Sequence, residues 1–386
     1  MALLFACKEE TIEPLNEGGK TPQVVSDVKV ENLAGKAKLT YSLPKDPSLF
    51  YVKAEYEIRK GKKMEVIATY YNNTLTLEGF GDTEEREVKL YSVSRSETRS
   101  APVTVKVKPL APPVVNAFTS LNFYADFGGI SVDFVNADSA NIVVGILTKD
   151  NVGDILAADM YYTSQKKGTF SVRGFNAQPR LFGLYVRDRW SNHSDTVWKE
   201  ITPMFEQKLD KKLFKPLKLP TDANLHSNMA MSNLWNDVIV GGSSSNSSWL
   251  RTANGSGVPH WFTFDLGVNA KLSRFHYVPR GAIDELNLLY AAGDPYLFEI
   301  WGSNEPAIDG SFNGWTKLAE CQNVKPSGLP IGTNSNDDIL AAQAGHEFKM
   351  PLDVPAVRYI RIKMLQTWGN SDYMWMAEAT LYGEVK

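Results

Sequence analysis

The segment that decides the fold is Pro259-His260-Trp261-Phe262-Thr263-Phe264-Asp265-Leu266-Gly267, which follows Trp249 in the second half of the chain. Three further segments follow it in order, and these are Tyr296-Leu297-Phe298-Glu299-Ile300-Trp301-Gly302-Ser303-Asn304, Val357-Arg358-Tyr359-Ile360-Arg361-Ile362 and Glu378-Ala379-Thr380-Leu381-Tyr382-Gly383. Trp315-Thr316-Lys317-Leu318 lies between the second and the third of these four segments. Each segment alone is a weak signal, but all four in order within residues 249–383 are specific.

In this order the four segments resemble those of discoidin domains, which are also called coagulation factor V/VIII type C domains. The resemblance implies a jellyroll-like, galactose-binding-like β-sandwich over residues 206–386. In such a domain the sheets are a scaffold, and the loops at one end form the recognition surface. We therefore predict that the tryptophans in or beside these segments pack in the core, namely Trp249, Trp261, Trp301 and Trp315.

The first part of the chain alternates with a period of two, as half-buried strands do. In residues 52–59 the even positions are apolar and the odd positions are charged. Strands of this length, separated by turn residues, predict a small antiparallel sandwich over residues 21–109. Residues 109, 112 and 113 are prolines, which cannot donate to a sheet ladder, so we predict a linker there.

A second run of strands, over residues 110–205, weakly repeats this pattern. Leu90 and Leu184 lie in similar apolar strands, and their separation of 184 − 90 = 94 positions is a plausible length for one small sandwich. Both units resemble fibronectin-III-like modules, which usually act as spacers. The predicted fold class is therefore all-β, with two small Ig/fibronectin-III-like β-sandwiches followed by a discoidin-like jellyroll β-sandwich.

Residues 1–20 resemble the start of a lipid-anchored protein. Leu4-Phe5-Ala6-Cys7 resembles the bacterial lipobox, which implies that Cys7 is acylated and becomes the mature N-terminus. Lys8-Glu9-Glu10 resembles the acidic export signal of surface lipoproteins in Bacteroidetes. These resemblances imply a cell-surface lipoprotein of the outer membrane, with a flexible tether up to residue 20. The alternative is a chance cysteine in a frayed N-terminus.

The charge of the chain limits its partners. The formal net charge is −3 at pH 7, whereas binding to a polyanion needs a concentrated basic face. We therefore predict no nucleic-acid partner. No apolar run approaches the roughly 18 residues that a membrane helix needs, so we expect contact with the membrane through the lipid anchor only.

Two loop-forming segments of the C-terminal domain carry the side chains that a sugar site needs. A sugar has an apolar face that stacks on an aromatic ring, and a rim of hydroxyl groups that need donors and acceptors. The predicted carbohydrate ligands are Arg280, Asp284, Glu285 and Asp294 in the first segment, and Trp368, Asn370, Asp372, Tyr373 and Trp375 in the second. The alternative for Trp368 and Trp375 is that they only cap the sandwich.

Many discoidin domains hold a structural calcium ion in the loop after the first strand. The resemblance places its ligands at Asn236, Asp237 and residues 243–248, with Glu378 as the distant ligand. Calcium takes about six to eight oxygen ligands with some formal charge among them. The usual Asp-Gly-Asp of the family is Asn236-Asp237-Val238 here, which removes one carboxylate and a glycine. The prediction is thus a calcium site with fewer charged ligands than usual.

No catalytic motif is found in the sequence. It contains no Gly-x-Ser-x-Gly elbow, no His-Glu-x-x-His pair, no P-loop and no Rossmann glycine pattern. Its five histidines lack the spacing of metal ligands. We therefore predict that the protein is not an enzyme.

The predicted function is capture of a polysaccharide or oligosaccharide at the cell surface. The three-part arrangement resembles accessory lipoproteins of Bacteroidetes polysaccharide-utilisation systems. Such a protein raises the local glycan concentration for an outer-membrane transporter or a glycoside hydrolase. One alternative is an adhesion or protein-interaction lipoprotein, which an apolar patch on either N-terminal module would favour. Another is an unusual hydrolase with two facing carboxylates in a cleft.

Overall fold

The computed structural model describes residues 20–150, 152–227, 229–239 and 248–386, and β-strands dominate it. The predicted lipidation site Cys7, and residues 243–247 of the predicted calcium loop, lie outside these residues. The chain divides into two compact units. One contains the residues up to Ala125 together with Ile130–Val172 and Gln178–Thr202, and the other contains Pro203–Lys386 together with Asp126–Gly129 and Arg173–Ala177.

The first sandwich consists of two antiparallel sheets. Its strands are β1 (Ser26–Leu33), β2 (Lys36–Ser42), β3 (Leu49–Arg59), β4 (Lys62–Thr69), β5 (Thr74–Glu78), β6 (Arg86–Ser94) and β7 (Val103–Val107). One sheet has the order β1-β2-β5 and the other the order β4-β3-β6-β7. Val52, Ala54, Tyr56 and Ile58 of β3 are all buried in the core of this sandwich, so the period-two prediction is confirmed.

The second sandwich repeats this plan. Its elements are helix α1 (Pro113–Thr119) and strands β8 (Asn122–Asp126), β9 (Gly129–Val135), β10 (Ile142–Lys149), β11 (Ile155–Thr163), β12 (Lys167–Arg173), β13 (Arg180–Asp188) and β14 (Val197–Ile201). Its sheets have the orders β12-β9-β8 and β11-β10-β13-β14. Leu90 in β6 and Leu184 in β13 are both fully buried at the same place in four-stranded sheets of the same order. The predicted pair of small sandwiches is confirmed.

The proline-rich segment between the two sandwiches is more ordered than a linker. Helix α1 begins at Pro113, where proline is favoured because the first N–H groups of a helix have no intrahelical partner. Leu110 bonds back to the first sandwich: its N–H donates to Leu33 O at 3.0 Å, and its carbonyl accepts from Gly35 N at 3.1 Å. The segment thus connects the two sandwiches as predicted, and it is held to the first of them by these backbone hydrogen bonds.

The C-terminal domain is built on one large antiparallel sheet. Its elements are strands β15 (Gln207–Lys208), β16 (Lys215–Leu217), β17 (Leu250–Arg251), β18 (His260–Val278), β19 (Pro295–Ser303), β20 (Thr316–Gln322), β21 (His346–Lys349), β22 (Val357–Thr367), β23 (Trp375–Met376) and β24 (Glu378–Val385), with helix α2 (Asn336–Ala344) between β20 and β21. The sheet has the order β15-β24-β18-β22-β19-β20, with β16 and β21 also paired to β18. A small pair, β17-β23, lies apart from it.

Strand β18 changes partners at the Asp-Leu-Gly of the deciding segment. Its first half pairs with β22, its second half pairs with β24, and the register of the first pairing shifts between Asp265 and Ala270. The Asp265 carboxylate accepts from Arg358 at 2.9 and 2.8 Å and from Gly267 N at 2.7 Å. Gly267 has φ +73°, and a Cβ there would lie 2.4 Å from Leu213 O. Only glycine fits this turn without strain.

Replacing Gly267 with alanine is therefore expected to destabilise the domain. A left-handed conformation costs a residue with a Cβ about 1–2 kcal/mol, and the clash with Leu213 O adds about 1–3 kcal/mol. Gly257→Ala is the matched control, because Gly257 has φ +80° with no atom within 4 Å of the added Cβ. Urea denaturation of both variants should show the larger loss for Gly267→Ala, and equal losses would contradict the close approach.

The prediction for the tryptophans holds for two of the four. Trp249 and Trp315 are buried, whereas Trp261 and Trp301 are half-buried on the opposite face of the large sheet. The reason is that successive side chains of β18 point to opposite faces of the sheet. Phe262 and Phe264 lie in the core, so Trp261, which precedes Phe262, lies on the other face.

Candidate functional site

One end of the C-terminal sandwich gathers the loops that the sequence predicted to bind. We call residues 251–259, 279–294 and 366–374 the loop end. Backbone hydrogen bonds hold two of these loops together, from Trp368 N to Asp294 O at 2.9 Å and from Gly369 N to Ala292 O at 2.8 Å. The third loop is joined to them by Gly255 N, which donates to Asp372 Oδ2 at 2.8 Å. The fold thus brings both predicted segments to one surface.

A layer of aromatic rings lies beneath that surface. Trp249 and Trp375 are each 5% exposed and pack edge to face, with ring centroids 6.2 Å apart. The Arg280 guanidinium lies 3.7 Å from the centroid of Trp249 and donates to both oxygens of Glu285, at 2.9 and 3.1 Å. Arg280, Glu285 and Trp375 were predicted as sugar ligands, but the structure gives them supporting positions. The burial of Trp375 agrees with the alternative interpretation, in which this tryptophan only caps the sandwich.

Asp294 is also part of the support. Its side chain is fully buried, where Oδ2 accepts from Tyr290 N at 3.1 Å and Oδ1 accepts from Tyr277 Oη at 3.4 Å. Burial raises the pKa of Asp294 well above its ordinary value. A carboxylate in this position cannot reach a ligand outside the protein, so the predicted sugar contact of Asp294 is not present in this arrangement.

The other predicted ligands lie at the surface. Asp284 and Asn370 are exposed, and Asn370 accepts from Gln366 Nε2 at 3.1 Å. Trp368 is half-buried and packs on Tyr296, with ring centroids 4.8 Å apart. These three predicted ligands therefore remain accessible at the loop end.

The ring of Tyr373 also lies at the loop end. Tyr373 is half-buried, and the Arg251 guanidinium lies over its ring at 3.9 Å from the centroid. Arg251 Nη2 donates to Asn254 Oδ1, and Asp372 is exposed beside them. We call Arg251, Asn254, Asp372 and Tyr373 the Tyr373 surface. It combines an aromatic ring with the donors and acceptors that a sugar rim requires.

A shallow cavity of about 270 Å³ adjoins the Tyr373 surface. Its lining includes Asn254, Ser256, Asn224, Thr221 and Trp261. Trp261 Nε1 donates to Thr221 Oγ1 at 3.2 Å, so the half-exposed indole is held in place. Asn254 belongs to both the cavity and the Tyr373 surface, so it lies near Trp261 as well as near Tyr373.

The sequence offers His260 as a weaker candidate ligand, and the loop before it, at residues 251–259, was not predicted to bind. Its signal was a polar, glycine-rich turn, Asn254-Gly255-Ser256-Gly257, directly before the deciding segment. His260 at its end has a structural role: one ring nitrogen lies 2.9 Å from Thr252 Oγ1 and the other 2.7 Å from Gly257 O. Burial lowers the pKa of His260, which favours the neutral ring.

Of the described residues predicted to bind calcium, Asn236, Asp237 and Glu378 do not form an oxygen cage among themselves. Asp237 Oδ1 and Glu378 Oε1 both contact Lys211 Nζ, at 2.7 and 2.5 Å. Asn236 Oδ1 accepts from Val238 N at 3.0 Å. Within residues 20–150, 152–227, 229–239 and 248–386, no three His, Cys, Asp or Glu side chains are placed to hold a metal ion. The described part of the predicted site therefore fits an ammonium group better than it fits calcium.

A larger open depression, of about 940 Å³, lies on the four-stranded sheet of the first sandwich. Its lining alternates glutamate with lysine and arginine, and its aromatic residues are Tyr56 and Tyr91. A charged, open trough of this kind is typical of a solvated sheet face. Among the described residues, no helix is long and apolar enough to cross a membrane.

The fold and the loops define a class: two fibronectin-III-like sandwiches that carry a discoidin-like domain. Residues 22–109 match the domain of unknown function DUF4959, residues 110–212 match DUF5126, and residues 235–383 match DUF5000, also a domain of unknown function. No curated protein matches the chain significantly.

Solved structures give the family. The SusE-like protein BT2857 is 35% identical over 71% of this chain and 100% of its own, with a TM-score of 0.46. On this sequence identity, the chain belongs to the SusE-like family. Two further matches are a two-domain fibronectin type III segment of chicken tenascin (14% identity, 46% and 98% covered, TM-score 0.24) and GH31 CBM32-2 bound to GalNAc (15% identity, 44% and 96% covered, TM-score 0.28).

Proposed function

We propose that the chain is a lipid-anchored protein of the outer-membrane surface that captures polysaccharide through the loop end of its C-terminal domain. The observation that carries the proposal is the Tyr373 surface, where a half-exposed ring lies among polar side chains. Membership of the SusE-like family supports it, as does the resemblance of the N-terminus to a surface-lipoprotein signal. Cys7 is the proposed lipidation site, and the proposed partner is an outer-membrane transporter or a glycoside hydrolase.

The proposed binding mode uses two aromatic side chains, Tyr373 on the Tyr373 surface and Trp261 in the adjoining cavity. A sugar packs against the stacked pair of Arg251 and Tyr373, with Arg251 as a donor and Asp372 as an acceptor for its hydroxyl groups. Asn254 contacts the same or the next sugar, and Trp261 offers a second ring across the cavity. Asp284, Trp368 and Asn370 make further contacts at the loop end. A shallow site of this kind binds each sugar weakly, and several copies on one polymer compensate through avidity.

Two of the carboxyl groups at the loop end are not available for catalysis. A glycosidase needs two free carboxyl groups about 5–10 Å apart on either side of the bond. Glu285 is engaged by Arg280, and Asp294 is buried beneath the surface. Neither can act as one of such a pair in this arrangement, whereas Asp284 and Asp372 are exposed at the loop end. The proposal of a non-catalytic protein therefore rests on the SusE-like family and on the lack of a catalytic motif in the sequence.

Tyr373→Ala is expected to weaken glycan binding by about tenfold or more, because the ring holds the Arg251 guanidinium in place and forms part of the proposed contact surface. An array of soluble polysaccharides, screened against the protein from residue 11 onward, selects the ligand, and titration calorimetry measures the dissociation constant. Tyr359→Ala is the matched control: Tyr359 is also half-buried, but it pairs with Asp265 and Ser303 at the other end of the domain. Equal losses in two folded variants would exclude the Tyr373 surface as the site.

One observation favours a protein-interaction role as the second candidate. Phe50, Ile67 and Tyr71 on the first sandwich are 42%, 51% and 82% exposed, and the rings of Tyr70 and Tyr71 are in contact at a tilt of 35°, with centroids 4.0 Å apart. Tyr70 N donates to Phe50 O, which places these side chains at one end of the sheet. If no glycan on the array binds, pull-downs from outer-membrane extracts with the wild type and a Tyr71→Ser variant test this role.

A further inference from the structure

Lys211 occupies the place where the resemblance to discoidin domains predicts a cation. It begins a 3₁₀ turn, Lys211–Leu213, that is capped by the Asp210 side chain. From this turn Lys211 Nζ reaches Glu378 Oε1 at the start of β24, at 2.5 Å, and Asp237 Oδ1 at 2.7 Å. The other oxygen of Glu378 accepts from Asp237 N at 2.9 Å. One ammonium group thus joins three separate parts of the domain.

The environment of Lys211 is that of an internal ion rather than a surface lysine. Its side chain is 8% exposed and that of Glu378 is 7% exposed. Lysine is almost never buried to this extent unless it is paired. A buried glutamate that lost the ammonium would remain as an uncompensated charge.

The charges around the site are already balanced. Asp237 and Glu378 supply two negative charges, Lys211 supplies one positive charge, and Lys208 supplies another, with its Nζ 3.5 Å from Asp237 Oδ1. A divalent cation in this position would face two ammonium groups at close range, where like charges repel strongly. It would also find at most two carboxylates, both of them hydrogen-bonded, among the described residues.

We propose that Lys211 replaces the structural calcium ion of the discoidin fold and makes the C-terminal domain independent of calcium. The lysine ties the 3₁₀ turn, Asp237 and β24 together, as a bound cation would. Calcium removal therefore changes neither the stability of the domain nor its capture of a ligand. The first consequence is independent of the proposed glycan function, because it is measured on stability alone.

The test compares melting temperatures in millimolar calcium and in excess EGTA. The wild type is expected to melt at the same temperature in both, and calorimetric titration of the wild type with calcium is expected to show no binding. Lys211→Met removes the ammonium and keeps most of the side-chain volume. It is expected to melt several degrees lower in EGTA, and calcium is expected to restore part of the loss, because Glu378 then has no ammonium partner and Asp237 keeps only Lys208.

Lys212→Met is the matched control, since Lys212 is the exposed neighbour in the same turn. It is expected to melt like the wild type in both buffers. A wild-type melting temperature that rises with calcium, or stoichiometric calcium binding to the wild type, would overturn the proposal. So would a folded Lys211→Met variant that behaves like Lys212→Met. If Lys211→Met does not fold, the two wild-type measurements still decide.

Discussion

Arg361→Met is expected to lower the free energy of unfolding of the C-terminal domain by about 3–5 kcal/mol, the cost of breaking a buried ion pair by removing one partner. Arg361 is fully buried, and its Nη2 lies 3.5 Å from Asp222 Oδ1. Its Nε donates to Thr263 Oγ1 at 3.0 Å and its Nη1 to Gly310 O at 3.1 Å. Methionine fills the space but leaves the Asp222 carboxylate without its counter-ion.

Urea denaturation followed by tryptophan fluorescence measures this loss. Lys363→Met is the control, because Lys363 lies two residues further along β22 and its ion pair with Glu299 is only half-buried. It should cost no more than about 1 kcal/mol. Adding Asp222→Asn to Arg361→Met should recover part of the loss, since the unpaired charge is then gone. A loss below 1 kcal/mol for Arg361→Met would show that the pair does not hold the sheet.

Asp294→Asn is expected to flatten the pH dependence of stability while leaving glycan binding unchanged. Because burial raises the pKa of Asp294 in the folded state, the folded protein holds a proton that the unfolded chain releases. The contribution of Asp294 to stability is therefore fully present below the ordinary aspartate pKa of about 4 and is lost as the pH rises above it. Asparagine cannot ionise, so the variant gains stability relative to the wild type as the pH rises above about 4.

Urea denaturation at several pH values measures the difference between the two proteins. Asp294→Ala serves as the contrast, because it leaves Tyr290 N and Tyr277 Oη without their acceptor and should cost about 2–3 kcal/mol. Asp353→Asn, at an exposed carboxylate of the same domain, controls for the change of charge. A tenfold loss of glycan affinity in a stable Asp294→Asn protein would instead show that Asp294 contributes to glycan binding.

Most of the fold could be predicted from the sequence because its signals are local. The alternation of residues 52–59 fixes which face of β3 is buried, and Asp265 and Gly267 are needed by one turn. The prediction for Trp261 failed for a related reason. A tryptophan next to Phe262 in a strand must take the opposite face, and the parity of the strand was a better guide than the size of the side chain.

The candidate site could be predicted only as far as its loops. The neighbouring sequence does not show that Trp375 is buried beneath the loop end whereas Tyr373 is partly exposed on its surface. Trp375 is covered by Trp249 and Arg280, which come from distant parts of the chain. Arg251 was missed because its partner, Tyr373, is 122 positions away (373 − 251). Contacts of this kind follow from the assembled fold and leave no pattern in either segment.

The strand order of the large sheet has a consequence for the time course of folding. β24 lies between β15 and β18, and Gln207 pairs with Gly383, which is 383 − 207 = 176 positions later. During synthesis, the second half of β18 cannot pair with β24 until residues 378–385 have been made. Pairings this distant in sequence close slowly, on a scale of milliseconds to seconds. Nascent chains of this protein therefore carry an open strand edge for longer than either N-terminal sandwich does, and the C-terminal domain is where a chaperone would be needed.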